Sequence, residues 1–149
     1  VCKPAGMGDT AFPRSDELSG PVALGYVEMD GTWRTNVFHL PVRATGDGGV
    51  YSTAADIRSL WTAFFQGEIV SAGWVHEITR RRSDAEHGMG YGLGFWLDES
   101  SEVVLIEGVD AGVSFRSTHD PRSDLTRTVI SNTTEGAFPL VRFLRERWA

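Results

Sequence analysis

Between Met89 and Asn132 the chain repeats one pattern: a short apolar or alternating run stopped by a polar or glycine-bearing turn. Met89, Tyr91, Leu93, Phe95 and Leu97 alternate with Gly90, Gly92, Gly94 and Trp96. That is the period of a strand with one large-residue face and one face cut down so that something can lie close. Asp98-Glu99-Ser100-Ser101 reads as a polar turn, and Val103 to Ile106 as a short strand covered on both sides. Gly108 to Gly112 breaks that run, after which Val113, Phe115 and Ser117 alternate with Ser114 and Arg116. Asp120-Pro121-Arg122-Ser123-Asp124 is a second turn, with Pro preset for it and Asp able to bond its own backbone. Leu125 to Ser131 is a last alternating strand. The simplest assembly is an antiparallel meander of about three or four strands, since connections this short join only antiparallel neighbours.

The flanking segments add helices and a hairpin. Residues 1–20 are punctuated by Gly and Pro and read as loop, with Cys2, Met7 and Phe12 as anchors into a core. Val22 to Phe38 reads as a hairpin turning at Asp30-Gly31. Leu40 to Gly49 is a loop ending in Gly46-Asp47-Gly48-Gly49. A glycine-rich loop before a helix can cradle phosphate, but the fingerprint spacing and the basic residue are missing, and a sharp backbone turn is the simpler account. Thr53 with Asp56 starts a helix, Ser52 being the alternative cap, and Ile57, Leu60, Trp61 and Phe64 share one face before Gly67 closes it. Ser71 is a cap for a shorter helix with Trp74, Val75 and Ile78 inward, followed by Arg80-Arg81-Arg82 as a solvated end. Ser83 to Gly88 is a polar linker. A C-terminal helix carries Pro139 in its first turn, with Phe138, Val141, Leu144 and Trp148 on the face that packs on the sheet. The class is therefore α+β, and 149 residues are the size of one domain.

Composition narrows the function classes. Hydrophobic residues at 41% and charged residues at 23% are ordinary for a soluble globular chain. A formal charge of −6 argues against a nucleic-acid partner, which calls for a basic face. No apolar run reaches the roughly 18–20 residues of a membrane span. Cys2 is the single cysteine, so no intrachain disulfide forms and cysteine usage does not separate a cytoplasmic from an exported setting. His39, His76, His87 and His119 match no zinc-ligand spacing, so no metal and no cofactor is expected. Cys2 has no nearby His or Asn to activate it. No serine stands in G-x-S-x-G or in S-x-x-K.

Three stretches carry a family resemblance. YGLGFWL, followed by a strand, a glycine-bearing turn, GVSF, a Pro turn and TVISNT, resembles the C-terminal part of the serine β-lactamase and penicillin-binding-protein-like hydrolases. The branch it is most similar to holds the class C β-lactamases, esterases and D-alanyl-D-alanine peptidases. VCKPAGMGDTAF is similar to that family's P-L-G-M-x-D-T-x-F segment, and GDGGVYSTAADIRSLWTAFFQGE to its G-x-G-G-L-x-S-T-x-x-D-L segment. The resemblance implies a β-lactamase/transpeptidase-like fold, with residues 1–149 equivalent to the C-terminal portion of that domain and the natural N-terminus elsewhere.

In such hydrolases three motifs meet in one cleft. The S-x-x-K serine is the nucleophile, a Y-x-N motif moves protons and holds substrate, and K-T-G or H-x-G on a strand lines the opposite wall. The first two precede the P-L-G-M segment and so fall outside this sequence. Counting back from Pro121 places the third at Ile106-Glu107-Gly108. Gly108 matches the triplet's glycine, whereas Ile106 stands where Lys or His is usual and Glu107 where Thr or Ser is usual. The substrate-binding candidates are therefore Ile106, Glu107, Gly108 and Asp110, and the Val109 backbone N–H is the oxyanion donor that the resemblance implies. For Glu107 and Asp110 a turn with solvated carboxylates is the competing account. The departure puts β-lactamase activity in doubt and leaves esterase-like or amidase-like chemistry open.

A meander without its upstream neighbours exposes an edge and an apolar face. Its own helices or a second copy, through strand exchange at the sheet edge, must cover them. The expected partners are thus a small-molecule or peptide substrate in the complete protein and a homodimer through that edge. The competing class is a non-catalytic binding or self-association module that keeps the scaffold. An active-site serine probe is expected to leave the chain alone unlabelled; robust acylation would place a reactive hydroxyl within these residues.

Overall fold

In the computed structural model, which describes residues 1–46, 48–85, 88–98 and 102–147, the first regular element is a hairpin. Its strands are β1 (Tyr26–Met29) and β2 (Thr32–Thr35), antiparallel with Met29 opposite Thr32. Asp30 and Gly31 both take positive φ, 51° and 72°, the two left-handed residues that a turn of this kind needs to match the strand twist.

Helix α1 (Ala54–Phe65) starts and stops on the expected signals. The Asp56 N–H donates to Thr53 Oγ1 at 3.1 Å. At the other end Gly67 has φ +79°, its N–H donates to the Phe64 carbonyl, and the Glu68 N–H donates to that of Ala63. This paired arrangement satisfies carbonyls that the helix end would leave open. Ile57, Trp61 and Phe64 are buried as their spacing predicts, and Leu60 is half-buried.

Helix α2 (Ala72–Thr79) departs from expectation in two details. Ser71 occupies the capping position without a side-chain capping bond. Trp74, expected inward, is 59% exposed. Two turns bury only one narrow stripe, centred on Val75 with Ile78 and Thr79 half-buried beside it, and Trp74 falls outside its edge. The arginines that follow are exposed, Arg80 and Arg82 pairing with Glu77 and Arg81 with Asp84.

The sheet is a meander of six strands in sequence order: β3 (Ser83–Asp84), β4 (Gly90–Tyr91), β5 (Trp96–Leu97), β6 (Val104–Asp110), β7 (Val113–Asp120) and β8 (Leu125–Ser131). Two of these come from readings that the structure corrects. Met89 to Leu97 is not one strand but a folded-back pair, with Gly90 opposite Leu97 and Tyr91 opposite Trp96. The reversal uses Gly94 at φ +95°, and the Gly92 N–H donates to the Phe95 carbonyl at 2.8 Å. Gly92 is glycine because a Cβ there would overlap the Ile78 carbonyl. The linker after Arg82 likewise pairs, Ser83 lying opposite Tyr91. The β7–β8 turn follows expectation, Asp120 accepting from the Arg122 N–H and the Ser123 hydroxyl. Those bonds, the Ser123 hydroxyl foremost, hold its carboxyl below the usual range. Helix α3 (Ala137–Arg147) closes the chain. Phe138, Val141 and Leu144 are half-buried along it. Asp47 of the glycine loop, His87, residues 99–101 of the polar turn and Trp148 lie outside the described residues.

The chain forms two compact units. The first comprises Val1–Asp9, Thr53–Ile106 and Ser117–Thr128. Its centre is Trp61, wholly buried, whose ring lies 5.5 Å from that of Phe95 and 5.6 Å from that of His119. Phe65 also stacks on His119 at 4.6 Å and lies 6.2 Å from Trp61, so the three rings form a triangular cluster. Trp61 Nε1–H donates to Ser117 Oγ at 2.8 Å, and that hydroxyl shares a second hydrogen bond with Thr128. The N-terminal segment joins this core through Ala5 and Met7 and through the Asp9 N–H on the Asp56 carboxylate, with Cys2 half-buried. The second unit comprises Thr10–Ser52, Glu107–Arg116 and Val129–Ala149. There the Ser114 hydroxyl donates to the Thr133 carbonyl and accepts from the Ala137 N–H at the start of α3. Phe12 is 54% exposed instead of anchored: Ala11 pairs with Tyr51 through both backbone bonds, and Ala11 and Phe12 are both exposed.

His119 is 2% exposed, and burial pushes its imidazole below the ordinary value of 6.5, with Asp124 and Asp120 opposing the shift. Between the lowered folded value and the unfolded one, the unfolded chain binds the proton that the folded one refuses. Stability is therefore expected to fall as pH drops below about 6.5. His119→Gln is expected to flatten that slope in melting temperatures taken from pH 7.5 down to 5. An unchanged slope would assign the pH dependence to other groups.

Candidate functional site at the β6–β7 turn

The strand that carries the candidate residues is longer than its apolar run. β6 continues through Glu107, Gly108 and Val109 to Asp110, where the sequence suggests a break. The reason is that Gly108 is tolerated in an extended strand, and the reversal is made instead by Ala111 and Gly112, the latter at φ +73°. Amides alternate in direction along an antiparallel strand. Leu105 is paired with Trp96, and the Asp98 N–H donates to the Val103 carbonyl at 3.1 Å, so the odd-numbered residues of β6 aim their amides at the β5 edge. Glu107 and Val109 share that parity. β5 ends at Trp96 and Leu97, and among the described residues no strand pairs with this edge beyond Leu105.

The side chains around this edge are arranged unevenly. Val109 is 57% exposed, and Gly108 is exposed with open space where a Cβ would stand. Ile106 is half-buried. Glu107 is neither in a turn nor simply solvated: Arg116 Nε donates to its Oε2 at 2.6 Å and Nη2 contacts the same oxygen. Both side chains are about three-quarters covered, 24% and 22% exposed, so the carboxylate reaches any ligand already neutralised. Asp110 is exposed and accepts the Ala111 N–H at 2.7 Å, which curls its carboxylate back onto the turn.

Residues that carried no signal in the sequence hold this turn. Asn36, 6% exposed, donates from Nδ2 to the Ala111 carbonyl at 2.8 Å, and its own N–H donates to the Gly25 carbonyl at 2.9 Å. The Gly112 N–H donates to Thr134 Oγ1 at 2.9 Å. A Cβ on Gly112 would lie 2.8 Å from the Cβ of Asn36, and one on Gly25 would overlap the Asn36 amide. Glycine at Gly112 in a turn was the one available clue. Asn36 sits at a strand end where Asn is unremarkable, and nothing local links it to Ala111.

Among the described residues no group of three or more His, Cys, Asp or Glu side chains is placed to hold a metal ion. Every buried side-chain nitrogen and oxygen among them has a hydrogen-bond partner. No helix among them is long and apolar enough to cross a membrane. The arrangement offers an exposed backbone edge, a bare glycine and a neutralised carboxylate.

Comparison with known proteins bears on the family and the fold. The Beta-lactamase family pattern matches residues 1–146. The fold is similar to that of a penicillin binding protein from Bacillus halodurans, with a TM-score of 0.93 and 30% identity over 99% of this chain. It is also similar to an octameric penicillin-binding protein homologue from Pyrococcus abyssi, with a TM-score of 0.82 and 20% identity over 98% of the chain. A D-stereospecific amidohydrolase from Streptomyces sp. matches with a TM-score of 0.72 and 19% identity over 93%. The chain spans 47%, 36% and 46% of those three proteins' chains respectively. No curated protein sequence matches it.

The Glu107–Arg116 pair supplies a direct test of the local electrostatics. Arg116→Met leaves a half-buried carboxylate uncompensated and is expected to cost roughly 1–3 kcal/mol in denaturant unfolding. Combining it with Glu107→Gln is expected to recover most of that loss. A double variant as unstable as the single one would show that the arginine acts by packing instead.

Proposed function

The chain belongs to the beta-lactamase family, and from that premise we propose that it forms the sheet wall of a serine acyl-transfer site. In this reading the Val109 N–H donates to the oxyanion that develops on a substrate carbonyl, and Gly108 lets substrate backbone lie close. Ile106, Glu107 and Asp110 border the acyl group. The nucleophilic serine and its lysine belong to polypeptide outside these 149 residues, and the chain by itself is catalytically silent. The observation that carries the reading is the Val109 amide, on the β6 edge that no described strand pairs, beside an uncovered glycine.

Ile106 shapes the substrate class. With neither a Lys nor a His at that position, the wall lacks the cation that would hold a substrate carboxylate, and Arg116 is already engaged by Glu107. Neutral esters and amides fit this wall better than β-lactams. The same departure supports a second reading, a binding or self-association module on the hydrolase scaffold. Under it, copies pair along β8, the terminal strand of the sheet, where Leu125 and Ile130 are exposed at 45% and 47%. An octameric assembly in the Pyrococcus abyssi homologue lends this some weight.

Assays with nitrocefin and p-nitrophenyl acetate separate the two. The 149-residue chain is expected to turn over neither, and the complete polypeptide to hydrolyse the ester with little or no action on nitrocefin. A complete polypeptide with an intact S-x-x-K that is inert to both would favour the binding module.

A further inference from the structure

A two-residue turn at the tip of a hairpin is ordinarily solvated and free to relax. The Ala111–Gly112 turn is not. Its carbonyl is taken by the buried amide of Asn36 at 2.8 Å and its N–H by the Thr134 hydroxyl at 2.9 Å, residues 75 and 22 positions away in the chain. The Asn36 amide is itself confined, because Gly25 and Gly112 are the only residue types that leave it room. The central peptide group of the turn is thus clamped at both its C=O and its N–H, one residue beyond Asp110.

We propose that Asn36 and Thr134 are positioning residues that fix the aim of the Val109 amide at the candidate site. This rests on the reading that an acyl oxygen is bound there. Neither side chain touches substrate; both act through the turn. Val109 lies two residues from the clamped carbonyl on an extended strand, so a displacement of the turn is passed along the backbone with little loss. An oxyanion donor works only when it sits about 2.7–3.1 Å from the developing charge, so a small error in aim lowers the rate while leaving ground-state binding intact.

The test uses the complete polypeptide with p-nitrophenyl acetate and compares wild type, Asn36→Asp and Thr134→Val. Asn36→Asp keeps the side-chain shape but faces the Ala111 carbonyl with an acceptor, and Thr134→Val keeps the volume but leaves the Gly112 N–H unpaired. Each is expected to lower kcat about tenfold or more with KM within about twofold of wild type. The pH profile of kcat is expected to keep its shape, and the double variant to lose less than the product of the two single losses. Folded variants with wild-type kcat, or with KM raised at constant kcat, overturn the proposal. If Asn36→Asp does not fold, Thr134→Val alone decides by the same criterion. If wild type hydrolyses neither ester nor amide, the acyl-transfer reading fails separately. The Val109 and Gly112 amide resonances of Thr134→Val then decide the positioning claim, which stands if they shift and falls if they do not.

Discussion

The amide of Asn36 on the Ala111 carbonyl is the contact on which the candidate site depends, and its strength lies in confinement more than in the bond. A single neutral hydrogen bond contributes about 1 kcal/mol net. Leaving a buried amide unpaired costs more, and here it has nowhere else to turn, since Gly25 and Gly112 crowd it on two sides. Removing a Cβ at each of these positions allows three segments of the second unit to approach within hydrogen-bonding distance. The cost is the entropy of two glycines, one of them held at positive φ. The Tyr26 N–H on the Asn132 carbonyl and the Asn132 amide on the Leu24 carbonyl extend the same network.

The first unit solves a different problem, which is how to bury polar groups among aromatic rings. Trp61, Ser117, Thr128, His119 and Thr126 form two short relays, one from the indole N–H through Ser117 to Thr128 and one from the imidazole Nδ1 to Thr126. The His119 ring stacks on both Trp61 and Phe65, and burial pushes its imidazole below the ordinary value against the opposing pull of Asp124 and Asp120. Such relays add little net stability when complete, but they exclude alternative packings because any slip strands a donor.

The family resemblance and the departures from it fit one electrostatic account. Replacing the usual cation by Ile106 removes a positive charge from the strand, and Arg116 on β7 removes the negative charge of Glu107. Within the triplet itself no uncompensated charge remains, and the exposed carboxylate at the end of the strand is that of Asp110. An oxyanion donor made of backbone is indifferent to these side-chain changes, so the proposed stabilising group survives where the recognition groups have drifted.

Local signals were enough for the elements that local energetics decide. Asp30-Gly31 dictated the hairpin turn through its two left-handed residues, and Thr53 and Gly67 bounded α1 through hydrogen bonds made within five residues of each end. The antiparallel order followed from short turns alone. Alternation failed between Met89 and Leu97, where a strand and a tight reversal share the same spacing of large residues and glycine, and only the Ile78 carbonyl against Gly92 shows which is present. Burial of Trp74 and Phe12 depended on what other segments had already covered. The triplet at Ile106-Glu107-Gly108 was visible in the sequence, as was the Val109 amide as a candidate. The ion pair that silences Glu107 and the two clamps on the turn were not, because Arg116, Asn36 and Thr134 reach their partners from 9, 75 and 22 residues away, distances over which only the folded backbone sets who meets whom.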